Sequence, residues 1–524
     1  MSLFNRREIL RSLAAAGSTL PLTRLLSAAS DPVVGTSRRD EAYRVRVAAA
    51  ALQRDSATTT SPVGNGDEPE VPRFAACYSK GLPHNGQGEV NGEAYELLLR
   101  ALRSGDPRDF DFIPHIGEVK LANPQAAFAF NLVGPDSACA GCPPAPRFAS
   151  AEQAAEMAEL YWQAILRDLP FSHYDGHELA SRAANELTRL YGWPVTPATL
   201  FRCRNAGSAA GPYISQFLCK EIFYAPLPVT QKLRSAPAGH DYLDDYDRWL
   251  DLQNGLPPGR FTLDDTPCFI RGGRDLAEYV HRDFSFQAPL SAGLILFNLR
   301  APLNPGNPYA TSSGQAGFVT FGAPHLLYLI AIATQSALTA CWHQKWLVHR
   351  RLRPEEMGGR VETQLRKRAN YPIHRTILDS DALALTTKRN ASALLTSSYP
   401  EGAPTHPSYP AGHAVIAGAG ITILKAFFDE TFVIPDPVVP SADGRMLVPY
   451  DGPPLTVGAE LDKLASNIGM GRNFAGIHWR SDLEAGMRLG EEVAISVLRE
   501  ARLAARESSS GFRFHRIDGQ PVMA

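Results

Sequence analysis

Runs of strictly alternating apolar and polar residues are scarce in this chain, so it offers little from which an extensive sheet could be built. Apolar residues recur instead at three- and four-residue spacing. Ala154, Met157, Leu160, Tyr161, Ala164 and Ile165 follow that rule, and Ser150-Ala151-Glu152-Gln153 ahead of them reads as a capping box. Shorter helical signals lie at 275–280 and 290–299. A long helix is expected from after Pro324, past Lys345, to about Leu352. Another starts near Ala411 and carries Val415, Ile416, Ile421, Leu424 and Phe427. A short one covers 459–468, and a last long one runs from about 477 to 502. Gly418, Ala419 and Gly420 permit close approach between helices. The expected fold is all-α, built of helical bundles, with the chemistry in the C-terminal bundle.

Charge narrows the partners. Lys and Arg number 52 against 54 Asp and Glu, a net charge of -2, which does not suit nucleic acid or an acidic membrane. An anion site must therefore arise from a few local cations. The most apolar stretch, 326–340, is interrupted by Thr334, Gln335 and Ser336 and reads as a core helix, not a membrane span. At the N-terminus, Arg6-Arg7 precedes an Ala-rich apolar stretch and Ser27-Ala28-Ala29. Residues 1–30 thus resemble a twin-arginine export signal, implying a periplasmic or secreted protein. Residues 31–70 read as an exposed arm, and the tail 506–524 as polar and irregular. Of the seven cysteines, Cys341 reads as a core residue, and a disulfide among the other six is expected if the chain is exported. Cys139 and Cys142 lack the second pair that a zinc site needs.

Three segments carry the chemistry. In the first, Lys345 and Arg353 lie eight apart at the end of an apolar helix. On a continuous helix they would stand about 80° apart, near enough to meet one ligand. In the second, His406-Pro-Ser-Tyr-Pro-Ala411-Gly412-His413 sits just before a helix. Gly412 lets backbone approach a ligand, helix N–H groups attract an anion, and His413 can move a proton. In the third, Arg472 precedes His478, and His478 lies four residues from Asp482, placing both on one helix face. A carboxylate there holds one imidazole nitrogen as a donor and leaves the other free. Each segment alone is also compatible with a solvated helix end, a surface turn or a surface His–Asp pair. Together they make a complete oxyanion site.

These motifs resemble those of the vanadium-dependent haloperoxidases, algal and bacterial bromoperoxidase branch, which share a site with the type-2 phosphatidic acid phosphatase superfamily. The resemblance is carried by Lys345-Trp346 to Arg353-Pro354, by His406-Pro407-Ser408-Tyr409-Pro410 before Gly412-His413, and by Ala475-Gly-Ile-His478-Trp-Arg-Ser-Asp482. The stretch from Arg271 to Asp283 is similar to one in the same branch. The resemblance is good over 265–500 and loose before that. It implies one large α-helical domain over 31–505, with active-site segments within 324–502.

It further implies vanadate as cofactor, held by Lys345, Arg353, Arg472, the Gly412 N–H and His413, with His478 as the metal ligand. His413, Lys345 and Asp482 would be catalytic, Asp482 from a second layer, and His406 with Trp342 would form the halide environment. The partners implied are hydrogen peroxide, a halide and a small organic acceptor, with a homo-oligomer possible in the family. The implied reaction oxidises bromide or iodide to hypohalous acid. The alternative is an acid phosphatase with His478 as nucleophile. One position departs: where the family has Ser before Gly-His, this chain has Ala411, which removes one hydrogen bond to the anion, about 1–2 kcal/mol.

Overall fold

The computed structural model describes residues 36–55, 62–508 and 511–524; the export-signal reading falls outside them. The described residues are mainly helical. Their only sheets are three antiparallel hairpins: β1 (Ile222–Tyr224) with β2 (Leu227–Val229), β3 (Val438–Pro440) with β4 (Leu447–Pro449), and β5 (Arg513–His515) with β6 (Pro521–Met523). The all-α expectation is met.

The helices that position the site are α1 (Thr36–Asp55), α2 (Ala151–Leu166), α3 (Gly273–Tyr279), α4 (Gln287–Asn298), α5 (Ala323–His343), α6 (Pro354–Leu365), α7 (Gly412–Phe427), α8 (Val457–Phe474) and α9 (Arg480–Ala504). Helix α7 is the axis of the C-terminal bundle. It packs on α5, α8 and α9, and every residue from Ala414 to Phe427 is buried. Burying Val415, Ile421, Ile423 and Leu424 contributes about 1.5–3 kcal/mol each. Such close packing relies on glycine. A Cβ on Gly418 would stand 2.2 Å from the Met487 carbonyl, and one on Gly490 would stand 2.0 Å from the Val415 carbonyl. Helices α7 and α9 therefore touch backbone to backbone.

Several sequence expectations are corrected. The helix begun at Ala323 does not run to Leu352. It passes into a π-turn over Gln344–His349, Arg350 turns left-handed at φ 40°, and Arg353 is extended (φ -81°, ψ 156°). Pro354 accounts for the extended backbone of Arg353, because its ring disfavours helical backbone in the residue before it. The helix expected at 459–468 runs from Val457 to Phe474 and so includes Arg472. The last helix starts at Arg480, leaving His478 ahead of it. At α2, Ser150 caps the Gln153 N–H at 3.1 Å, but the Gln153 amide turns away to Arg351, so the box is half-formed.

The arm expected at 31–70 contains α1, whose Ala48–Ala51 run favours helix, and Gln53 bonds Ser496 on α9. The tail holds the β5–β6 hairpin, anchored by buried Phe512 and Phe514. All seven cysteines are free, and all but Cys139 are buried, so the expected disulfide is absent; Cys341 is a core residue as expected. Helix and π-turn together, 323–349, are long and apolar enough to cross a membrane by length and composition alone. Leu326, Leu329, Ile330, Ala333 and Ala337 are buried within the bundle.

Gly490→Ala should lower unfolding free energy by about 2 kcal/mol, since neither facing backbone can retreat and the gain in helix propensity is smaller than the clash. Urea unfolding followed by circular dichroism measures it; an unchanged midpoint would contradict the backbone contact.

Candidate active site

The three segments converge where α5, α7, α8 and α9 end or begin. Lys345, fully buried in the π-turn, donates to the carbonyls of Pro407 and Ser408, each at 2.7 Å. An ammonium has three protons, so one remains for a ligand. Arg353 is also fully buried. Its Nη1 donates to the Ile477 carbonyl and to His478 Nε2, both at 2.9 Å; its Nη2 and Nε bind the His406 carbonyl at 2.8 and 3.0 Å, and Nη2 lies 3.0 Å from His406 Nδ1. Arg472, in the last turn of α8, donates to the Val280 carbonyl and lies 3.4 Å from the Tyr399 hydroxyl. Its buried Nε has no acceptor among the described residues. The 80° helical argument for Lys345 and Arg353 fails, since Arg353 is not on that helix; the two meet because the chain turns back around Arg350.

Electrostatics follow from this crowding of cations. Burial pushes Lys345 down to about 7, and the charges of Arg353 and Arg472 push the same way. Burial likewise brings Arg353 to about 10. The carboxylate nearest them, Asp482, is already committed. Its Oδ2 accepts from His478 Nδ1 at 2.8 Å, from the Trp479 N–H at 3.1 Å and from the Ser408 hydroxyl. Its Oδ1 accepts from Arg351 at 2.8 Å.

Asp482 thus fixes the proton of His478 on Nδ1 and leaves a lone pair on Nε2, an assignment made from the bonding pattern. Burial, then the nearby cations, hold His478 far below the ordinary histidine range, so it is neutral. The His–Asp pair forms although His478 precedes the helix, because Asp482 lies in the first turn of α9 and reaches back. Asp482 touches no ligand position and is a positioning residue, not a catalytic one.

Gly412 opens α7, whose first N–H groups have no acceptor within the helix. A Cβ there would meet only Leu338 and Trp342, both at 3.7 Å, so protein packing does not demand the glycine. Ala411 is the N-cap and supplies no capping side chain. His413 is the half-open member of the site. Its Nε2 lies 2.9 Å from Asp283 Oδ1. Burial opposes ionisation of Asp283, yet His413 and Arg472 hold it below the usual carboxylate range. His406 stacks obliquely on Trp342, with ring centroids 4.8 Å apart, and the Trp342 Nε1 donates to the Ala122 carbonyl. Burial, then the charges of Lys345 and Arg353, keep His406 neutral. Its Nδ1 lies between Arg353 Nη2, at 3.0 Å, and the Pro407 carbonyl, at 3.2 Å.

Sequence reasoning missed the supporting residues. Asp283 lies in the motif-bearing stretch after α3 but had no assigned role. Arg351, between the two expected cations, ties Asp482 to Gln153 at 2.6 Å and Glu156 at 3.1 Å on α2. Burial pushes Glu156 up to about 7. Glu152, Glu156 and Glu159 occupy polar positions of an amphipathic helix, and spacing alone does not reveal where each carboxylate goes.

The donors suit a tetrahedral oxyanion with an electrophilic centre. Among the described residues no carboxylate pairs with the three buried cations and the Arg472 Nε lacks an acceptor; the first N–H groups of α7 have none within the helix, and a neutral imidazole stands among them. Fold and site together define a helical-bundle enzyme that binds a vanadate- or phosphate-like anion.

A family model described as the VCPO second helical-bundle domain matches residues 325–506. The chain is 35% identical to a vanadium-dependent bromoperoxidase of Ascophyllum nodosum, with 94% of each chain covered. It is 33% identical to that of Corallina officinalis, covering 93% of this chain and 98% of the relative. The solved structure of the second vanadate-dependent bromoperoxidase of Ascophyllum nodosum, a homohexamer, matches with a TM-score of 0.86 at 28% identity, over 95% of both chains. The chain belongs to the vanadium-dependent haloperoxidase family.

Two substitutions probe the cradle from opposite sides. Asp482→Asn, which loosens His478, should weaken vanadate binding by about 10–100-fold. Ala411→Ser adds a hydroxyl at an uncapped N-cap, and should raise unfolding free energy by about 1 kcal/mol while tightening vanadate several-fold. Vanadium retained after desalting, by elemental analysis, and thermal unfolding read both; unchanged retention in both variants would contradict the assignment.

Proposed function

We infer that the chain is a vanadate-dependent bromoperoxidase that oxidises bromide and iodide with hydrogen peroxide, releasing hypohalous acid to halogenate organic acceptors. The observation that carries this is the lone pair of His478 Nε2 set among Lys345, Arg353 and Arg472. Those three, with Gly412 N–H, would hold vanadate oxygens, and His478 would bind the metal. Bound there, vanadate supplies a Lewis-acidic centre at which peroxide becomes open to attack by halide.

The chain's own residues prepare that chemistry. Arg353 donates to His478 Nε2; were that nitrogen to hold the metal, the Nη1 proton would be free to bond the anion. Asp283 keeps a proton on His413 Nε2, so Nδ1 can accept one from peroxide and return it to the departing oxygen. His413 is the most solvent-accessible of these groups, with 28% of its side chain exposed, which lets protons exchange with water. Lys345, with one proton uncommitted, can donate to the oxygen that halide attacks. The neutral His406, with Trp342, makes a halide pocket that is part imidazole and part indole.

Chloride is harder to oxidise than bromide and needs a drier, more electrophilic site. The imidazole of His406 admits water, so bromide and iodide should turn over readily and chloride little. Halogenation of a phenol indicator with each halide at saturating peroxide decides this. Phosphate-ester hydrolysis by a vanadate-free sample tests the phosphatase alternative. Chloride turnover equal to bromide would overturn the halide assignment, and hydrolysis without bromination would overturn the peroxidase.

We also infer a homo-oligomer. Leu327 and Tyr328 on α5, Phe318 and Val319 before it, and Phe130 and Leu132 beside it are exposed apolar side chains, the last at 98%. Asn131, between Phe130 and Leu132, bonds the Ser336 carbonyl, tying that loop to α5. An apolar stripe of this kind suits a second copy, as does the homohexameric state of the similar solved structure. Light scattering should show an assembly that Leu132→Asp with Tyr328→Asp disrupts; a monomeric wild type would refute it.

A further inference from the structure

A second concave site lies apart from the oxyanion cradle, between the 170–175 loop, the 197–214 segment and the β3–β4 hairpin. Its volume is about 510 Å³, in the range that small organic ligands fill. The floor is aromatic. Phe171 lies flat on Tyr213, with centroids 3.7 Å apart and planes within 5°, and Ile214 and Ile270 line the same cavity. Pro440 and Tyr450 close it from the hairpin side.

Arg202 supplies the charge. Its Nη1 donates to the carbonyls of Ser208 (3.1 Å) and Pro212 (3.2 Å), and its Nη2 to that of Gly211 (3.1 Å). Its Cζ stands 5.0 Å from the Tyr213 ring centroid. Every one of these partners is neutral. Among the described residues no carboxylate bonds Arg202; Glu460, whose charge reaches it, is held by Lys463, and the buried Nε of Arg202 has no acceptor. Nη2 has a second proton and lies at the exposed side of the loop. Arg271, on the same lining, is different, because Asp275 takes its Nε and Nη2 at 2.8 and 3.1 Å. Asp175, the acid of the lining, is solvent-exposed. A guanidinium fixed by three carbonyls over a tyrosine face, with no bonded carboxylate and one Nη2 proton uncommitted, offers a charge-assisted hydrogen bond to a carboxylate oxygen.

We propose that this cavity binds a small aromatic carboxylate, with its ring on the Phe171–Tyr213 pair and its charge on Arg202. The site is separate from the cradle. Phe171 donates its N–H to the Arg271 carbonyl at 2.9 Å, and its ring lies 5.7 Å from that of Phe474, two residues beyond Arg472. The inference does not depend on the peroxidase reading.

Calorimetric titration of benzoate into the full chain, with the cradle saturated by phosphate, tests it. Benzoate should bind with a sub-millimolar Kd. Ala198→Trp, at an exposed position on the mouth, should abolish binding without affecting the fold. Arg202→Gln and the neutral probe benzyl alcohol should each bind at least about tenfold more weakly. Absence of benzoate binding to wild type at about 10 mM, unaltered binding to Ala198→Trp, or equal binding of benzyl alcohol would overturn the proposal.

Discussion

Three positive charges are held out of water at one end of a helical bundle, and the surrounding structure answers to that constraint. Burying an unpaired cation costs several kcal/mol. Here the cost is offset by backbone carbonyls, not carboxylates. Pro407 and Ser408 serve Lys345, Ile477 and His406 serve Arg353, and Val280 serves Arg472. The same bonds bind four separate stretches of chain into one wall. A carboxylate in any of these places would have neutralised the site; carbonyl dipoles hold the cations and leave the charge available.

The negative charge that is present stands one layer back. Asp482 faces His478 on one side and Arg351 on the other, and Arg351 leads on to Glu156 and Gln153 on α2. Asp283 performs the corresponding task for His413. The two histidines are thereby given different proton arrangements by similar means. His478 keeps its lone pair in a buried position, and His413 keeps one where protons can be exchanged with solvent.

Much of the site was legible because its residues sit at interruptions that leave marks in a sequence. Pro354 follows Arg353, Gly412 precedes His413, and Gly476 lies between Arg472 and His478 with φ 83°. The helical class was legible from periodicity. What periodicity could not show was the geometry at helix ends. Extending the α5 period to Leu352 missed the π-turn and the left-handed Arg350 that end it, and placing His478 on α9 mistook a capping arrangement for a shared face. Asp283, Arg351 and Glu156 stayed hidden because their partners are distant in sequence: the Glu156–Arg351 contact spans 195 residues. The hairpin in the tail was missed because its two strands, of three residues each, are too short to show alternation.

The π-turn at Gln344–His349 gives the bundle a register that the ordinary helical repeat would not supply. Its wider loop, closed by the Arg350 N–H on the Lys345 carbonyl at 3.0 Å, accommodates one residue more than an α-turn. Removing one residue there would let the segment relax into an α-turn of four residues, which sweeps nearly the same angle, so the wider loop takes up the extra residue without turning the chain that follows. Lys345 belongs to the part anchored in the bundle, and Arg353 to the part beyond the turn. The spacing of eight between them therefore joins two separately anchored segments, and Arg351 on the stretch between them holds Asp482 in place.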